Sequence, residues 1–189
     1  MKKSLGANTV LFPLPIYLVG SYDQNGKPDI MAAAWGGVVG SDPPCLGVSV
    51  RPSRLTYENV LANQAFTVSI PNAAQAEAVD FAGIVSGRHH DKFKETGLTP
   101  VASELVKAPF VAECPMVVEC ELYKTVDLNV HTLFIGRIVD VKVDESLVLP
   151  DGRLDTVAAD PLVFSSGGGH YHKIGPSAGQ AFSIGKSIK

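Results

Sequence analysis

Along residues 116–126 and 133–143 apolar and polar side chains alternate, the two-residue period of strands with one face in a core. In the second stretch Arg137, Val139, Val141 and Val143 fall on one face, and Ile138, Asp140, Lys142 and Asp144 on the other. Shorter runs at 16–22, 28–35, 46–50 and 66–70 read as further strands. The first two are joined by Asp23-Gln24-Asn25-Gly26, whose Asn-Gly pair supplies the positive φ angles of a tight hairpin turn. Gly36-Gly37 ends the second arm, Asp42-Pro43-Pro44 breaks the chain before the third strand, and Pro71 ends the fourth. Helix is expected from Thr56 to about Asn63 and over the alanine-rich, proline-free segment 74–81. The polar segment 86–93 reads as a loop and Asp151-Gly152 as a turn.

Six or more strands with two or three helices, joined mostly by connections too short for parallel crossovers, predict a mainly β, antiparallel barrel. No fixed-period repeat is present, which sets aside solenoids and propellers. At 189 residues the chain is read as one domain, 1–189, with 167–189 as an intersubunit or flexible tail opened by Gly167-Gly168-Gly169.

Charge changes little in this picture. The formal net charge of −3 gives no basis for nucleic-acid or anionic-membrane binding, so any anion site is local. Three cysteines, Cys45, Cys114 and Cys120, without a C-x-x-C spacing, argue for buried reduced thiols. The N-terminus lacks the pattern of a signal peptide, and no run approaches the roughly 20 apolar residues of a spanning helix. A cytoplasmic protein is expected.

Several chemistries are disfavoured by missing motifs. There is no G-x-G-x-x-G after a strand and no phosphate-binding G-x-x-x-x-G-K-[ST], and the serines near histidines lie in glycine-rich or tail positions that give no support to a hydrolase triad. His89-His90-Asp91 and His170-x-His172 lack converging partners, so no metal is expected. Two features remain. In Val48-Ser49-Val50-Arg51-Pro52-Ser53-Arg54-Leu55-Thr56 a strand runs into two arginines, two hydroxyls and a helix start, which reads either as a helix cap or as a phosphate cradle. In Asp29-Ile30-Met31-Ala32-Ala33-Ala34-Trp35-Gly36-Gly37 small residues let a flat group approach the backbone, although alanines also serve plain core packing.

Taken together these segments resemble the flavin reductase-like, FMN-binding split-barrel proteins, most closely the flavoredoxin branch. The resemblance runs through Ala7-Asn8-Thr9 to Pro15, Ile30-Met31 to Trp35-Gly36, Arg51-Pro52-Ser53-Arg54 through Thr56-Tyr57-Glu58-Asn59, Phe66-Thr67-Val68-Ser69, and Ser86-Gly87 with Asp91-Lys92-Phe93. It implies a Greek-key split barrel with a few flanking helices, holding FMN. Arg51, Ser53 and Thr56 match the phosphate-binding loop, and Lys92 matches a basic residue that contacts the FMN. Ala33, Trp35, Ser49 and Val50 match the strands lining the isoalloxazine, with His131 and Phe164 as further contacts. Two positions depart from related proteins, which often carry Asn in place of Asp29 and Thr in place of Ala32; an ionised Asp29 at the ring would lower the flavin potential. The resemblance also implies a homodimer and electron transfer from NAD(P)H or a protein donor to flavin or a redox partner. A non-catalytic module that stores or senses FMN is the alternative. No catalytic acid or base is implied.

Overall fold

The alternation read from the sequence sorts side chains between the inside of a barrel and an outer layer. The computed structural model describes residues 1–188. In chain order the strands are β1 (Leu14–Pro15), β2 (Tyr17–Tyr22), β3 (Pro28–Ala33), β4 (Gly36–Ser41), β5 (Pro44–Val50), β6 (Ala65–Ile70), β7 (Pro100–Ala102), β8 (Pro109–Val111), β9 (Met116–Asp127), β10 (Thr132–Val143), β11 (Leu162–Ser165) and β12 (His170–Lys173). Three α-helices accompany them: α1 (Leu55–Asn63), α2 (Ala76–Ile84) and α3 (Lys92–Thr96).

Seven strands form one antiparallel sheet in the order β3-β2-β6-β9-β10-β5-β4. Its two edge strands, β3 and β4, are consecutive in the chain, so the corner at Ala34-Trp35 draws the edges together. Ser49 N donates to Trp35 O at 2.8 Å across that corner, and the sheet curls into a split barrel. Tyr17, Val19, Met31, Ala33, Val48, Val50, Phe66, Val68, Cys120 and Phe134 fill the inside. The alternate residues Ile16, Leu18 and Ile30 face outward, against Val79 and Ala82 of α2 and Phe93 of α3. Burying one face in the barrel and the other under helices explains why β2 and β3 read as nearly continuous apolar runs.

The first hairpin forms as its sequence dictates, with Gly26 at φ 78° and Asp23 Oδ1 accepting from Asn25 N at 2.7 Å. Elsewhere tertiary context overrides local pattern. Gly36-Gly37 opens β4 directly after the corner: a Cβ at Gly36 would stand 2.6 Å from Gly47 O and 3.0 Å from the Tyr17 ring, so the close approach needs glycine, while Gly37 faces open space at the sheet edge. The segment 86–93 is not wholly loop, since α3 begins at Lys92 with Asp91 as its cap, accepting from Lys94 N at 3.3 Å. In β10 a register shift between Ile138 and Asp140 breaks the expected faces: Ile138 pairs with Cys120 and packs on the barrel core, whereas Asp140, expected on the same face, pairs with Glu119 on the outer side, where Val139 also packs, against Ala65, Val106 and Ala108. Residues 170–173 of the expected tail form β12, which pairs with β11 in a small sheet with β1. Lys189, at the end of that tail, lies outside the described residues.

Candidate cofactor site

The corner that closes the barrel also makes a cleft. Its wall is the end of β3 with its corner, Met31 to Trp35; its floor is Ser49 and Val50 of β5; its far end holds Arg51, Arg54 and His131, enclosing about 330 Å³. Alanines at 32, 33 and 34 keep the wall flat. A larger cleft of about 660 Å³ adjoins it, sharing Ala34, Trp35 and Ser49 and continuing along apolar Leu11, Val38 and Leu133. The combined recess is apolar along its length and cationic at one end.

That cationic end is built by a tight turn. After Val50 the chain folds back so that Arg54 N donates to Arg51 O at 3.0 Å, and α1 starts at Leu55. Arg54 occupies the N-cap position with no side-chain cap hydrogen bond, so the first-turn amides lack the usual Ser, Thr, Asp or Asn acceptor. Among the described residues neither Arg51 nor Arg54 has a carboxylate partner. By contrast, Arg88 pairs with Glu58, Arg137 with Glu121 and Arg153 with Asp151. Two unneutralised guanidiniums at an uncapped helix N-terminus favour an anion with several acceptor oxygens.

Arg51 is tied to the ring-sized part of the cleft through His131. Arg51 Nε donates to His131 Nε2 at 3.3 Å, and the imidazole lies against the Trp35 ring at 4.8 Å between centroids. An accepting Nε2 requires the proton on Nδ1 and a neutral ring. Burial, and then the Arg51 charge, hold the His131 pKa below its ordinary value and favour that form.

The remaining residues expected at the site are placed as follows. Ser53 is exposed in the turn before α1, and Thr56 is buried in the first turn of the helix, beneath the cleft lining. Phe164 is in β11, opposite Leu14 and 5.5 Å from the Tyr171 ring, outside the cleft. Asp29 and Lys92 lie behind the wall, 5 % and 3 % exposed. Lys92 Nζ donates to Ile30 O at 2.6 Å and sits 3.5 Å from Asp29 Oδ1. Burial pushes the Asp29 carboxyl above its ordinary value and pulls the Lys92 ammonium below its own, each against the attraction of the other. The family resemblance does not place Arg54 at the site; its position three residues after Arg51, around a proline-containing turn, is the signal that both guanidiniums reach one place.

All three cysteines are free and buried, and burial pushes the thiols of Cys114 and Cys120 up to about 12, so neither supplies a thiolate near neutral pH. Among the described residues no group of His, Cys, Asp and Glu side chains is arranged to hold a metal ion, and no helix is long and apolar enough to cross a membrane.

Comparison with known proteins gives this cleft its context. Residues 9–174 match the model of the flavin reductase like domain. The chain belongs to that family. It is similar to the flavoredoxin of Desulfovibrio vulgaris (Miyazaki F), at 47 % identity and a TM-score of 0.94, covering 98 % of this chain and 100 % of that one. It is also similar to a flavoredoxin from Methanosarcina acetivorans, at 31 % identity and a TM-score of 0.90 over 100 % of both chains. An FMN-binding protein from Thermus thermophilus, solved with bound 1-cyclohex-2-enone, is 26 % identical with a TM-score of 0.76, covering 92 % of this chain and 93 % of that one. The architecture is thus the flavin reductase-like split barrel, and the family is one of flavin-binding proteins.

Proposed function

We propose that this chain binds FMN non-covalently in the cleft and passes electrons through it, taking them from NAD(P)H or a protein donor and giving them to a flavin or a redox partner. The observation that carries this reading is the pair of unneutralised arginines, Arg51 and Arg54, at an uncapped helix N-terminus, directly beside a flat wall of alanines ending in Trp35. A phosphate fits the first and a planar ring the second, and one molecule carrying both at opposite ends is FMN.

When bound, FMN supplies the redox chemistry, accepting a hydride and releasing electrons singly or in pairs. The chain's own residues bind and orient. Arg51 and Arg54 hold the phosphate, and the α1 amides add the partial positive charge of the helix end. His131, kept neutral, fixes the Arg51 guanidinium from one side and the Trp35 ring from the other. The adjoining apolar cleft leaves room for a flat donor or acceptor against the ring. Its rim, with Val38 at 74 % and Leu11 at 61 % exposure, suits coverage by a second copy of the chain, which supports a homodimer as the working unit. The buried free thiols agree with a reducing compartment, the cytoplasm.

The test begins with colour. The purified protein is expected to be yellow and to release FMN on heating; a colourless protein that takes up no added FMN refutes the assignment. Anaerobic addition of NADH or NADPH then separates the roles: bleaching of the flavin identifies a reductase, and bleaching only with a reduced partner protein identifies a flavoredoxin-like carrier. A flavin that no donor reduces indicates a storage or sensing module.

A further inference from the structure

Behind the cleft wall, Asp29 and Lys92 form a buried ion pair that is incompletely satisfied. Lys92 Nζ has its short hydrogen bond to a backbone carbonyl, at 2.6 Å, and a longer approach of 3.5 Å to Asp29 Oδ1. Asp29 Oδ2 is buried with no hydrogen-bond partner among the described residues. Desolvating two charges costs more than so loose a pairing returns, and apolar or neutral replacements commonly fold as well or better. Fold stability therefore does not account for the pair.

Its position does. Asp29 and Ile30 lead straight into the cleft wall at Met31, and Lys92 is the first residue of α3, packed behind that wall. Its ammonium is near enough to Arg54 for the like charges to repel, and Arg54 lines the cleft. The neighbouring charges are already engaged: Lys27 with Asp91 at 3.2 Å, Arg88 with Glu58 at 2.8 Å and His90 with Glu95 at 3.0 Å. Opposite Asp29 on β2, Ser21 accepts from Asn59 of α1. Exposed Lys94 completes the local set and adds positive charge. Among the described residues Asp29 is the single carboxylate paired with Lys92. The chain makes room for it at Gly87, where a Cβ would stand 2.3 Å from Asp29 Oδ1.

We infer that Asp29 is a positioning residue for cofactor binding: it holds Lys92 charged behind the arginine end of the cleft, so that a phosphate bound there meets a third cation. This rests on the reading of the cleft as an FMN site. It assigns Asp29 an electrostatic task away from the flavin ring, with Gly87 as the spacer that permits it.

The test compares wild type and Asp29→Asn, full-length and stripped of flavin, titrated with FMN and with riboflavin from neutral pH up to about 10.5, the ordinary lysine value, below which a lysine of lowered pKa loses its proton. FMN affinity is expected to fall with rising pH as Lys92 loses its proton. In D29N the fall moves to lower pH, and where the two profiles separate FMN binds about 10-fold more weakly to D29N, while riboflavin binds alike in both proteins. Superimposable FMN profiles, or equal losses for FMN and riboflavin, overturn the inference. The D29N/K92M variant removes both charges and guards against misfolding of the single variant; it is expected to bind FMN weakly and without the alkaline fall, and wild-type affinity in it overturns the inference. Side-chain NMR of Lys92 in flavin-free protein gives a readout independent of FMN: its titration should move down in D29N and up when inorganic phosphate is added to wild type. No response to phosphate overturns the inference whatever flavin does, whereas a wild type that binds neither flavin refutes the FMN reading itself.

Discussion

Asp29 and Glu119 are both buried carboxylates next to a lysine, and the two lysines respond in opposite directions. Glu119, 0 % exposed, stands on the outer face of β9 opposite Thr67, whose hydroxyl donates to Pro109 O in the hairpin covering that face. Lys142 Nζ reaches Glu119 Oε1 at 2.9 Å and also pairs with Asp140, while its side chain keeps 35 % exposure. With two carboxylates and water within reach, the Lys142 pKa is raised, through Asp140 first and Glu119 second. Lys92 is enclosed, has one carboxylate and faces Arg54, so burial wins and its pKa is lowered. Both Glu119 oxygens are buried without a hydrogen bond among the described residues, as is Asp29 Oδ2, so the two pairs differ at the cation: one open to solvent at its cationic end has its charge held by two carboxylates. A closed one leaves the cation poised for an additional anion.

The contrast can be broken first by deleting each cation. Lys92→Met strands Asp29 in the interior and is expected to cost roughly 3–5 kcal/mol in urea unfolding. Arg51→Ala comes next: it should weaken FMN by roughly 10- to 150-fold, the equivalent of about 1.5–3 kcal/mol for a charge-assisted hydrogen bond, with a smaller loss for riboflavin in the same fluorescence titration. Equal losses would make Arg51 a structural residue. Lys142→Met should cost about 1–3 kcal/mol, since Asp140 returns to water and one buried carboxylate is left without its partner. If it costs as much as Lys92→Met while also weakening FMN, the distinction between open and closed pairs fails.

Alkaline pH sharpens the same comparison with opposite signs. A lysine whose folded pKa is lowered makes stability rise with pH between that lowered value and the unfolded value near 10.5; one whose folded pKa is raised loses its contribution as pH climbs from 10.5 through the raised value. Urea midpoints measured across this range should lose the rising limb in Lys92→Met and the falling limb in Lys142→Met. The smallest effect is expected for Arg137→Ala, whose partner Glu121 is a surface group: no measurable change in thermal midpoint or FMN affinity.

How much was legible in the sequence varied with the range of the interactions involved. The hairpin at Asn25-Gly26, the strands around Val19, Val68 and Val118, and the basic turn at Arg51 all follow from residues within a few positions of one another. β4 escaped because Gly36 and Gly37 signal a break locally, yet a sheet edge tolerates them. The Ile138 bulge escaped because a single extra residue inverts the later alternation without changing composition. At the site, Arg51, Trp35 and His131 were each recognisable, but their mutual contacts depend on the β3–β4 corner meeting the start of β10.

The sequence by itself determined the barrel class, through two-residue alternation punctuated by turn residues, and the cationic end of the cleft, through Arg51 and Arg54 at a helix start. Only the tertiary structure decided which arginines remain without a carboxylate, which lysine is enclosed and which reaches water. Those properties depend on the distance and solvent exposure of groups far apart in the chain, and pairing Asp29 with Lys92 across the back of Gly87 requires β3, α2 and α3 already packed together. Local pattern sets what each segment forms; the low dielectric and exclusion of water created by packing set what its charges do.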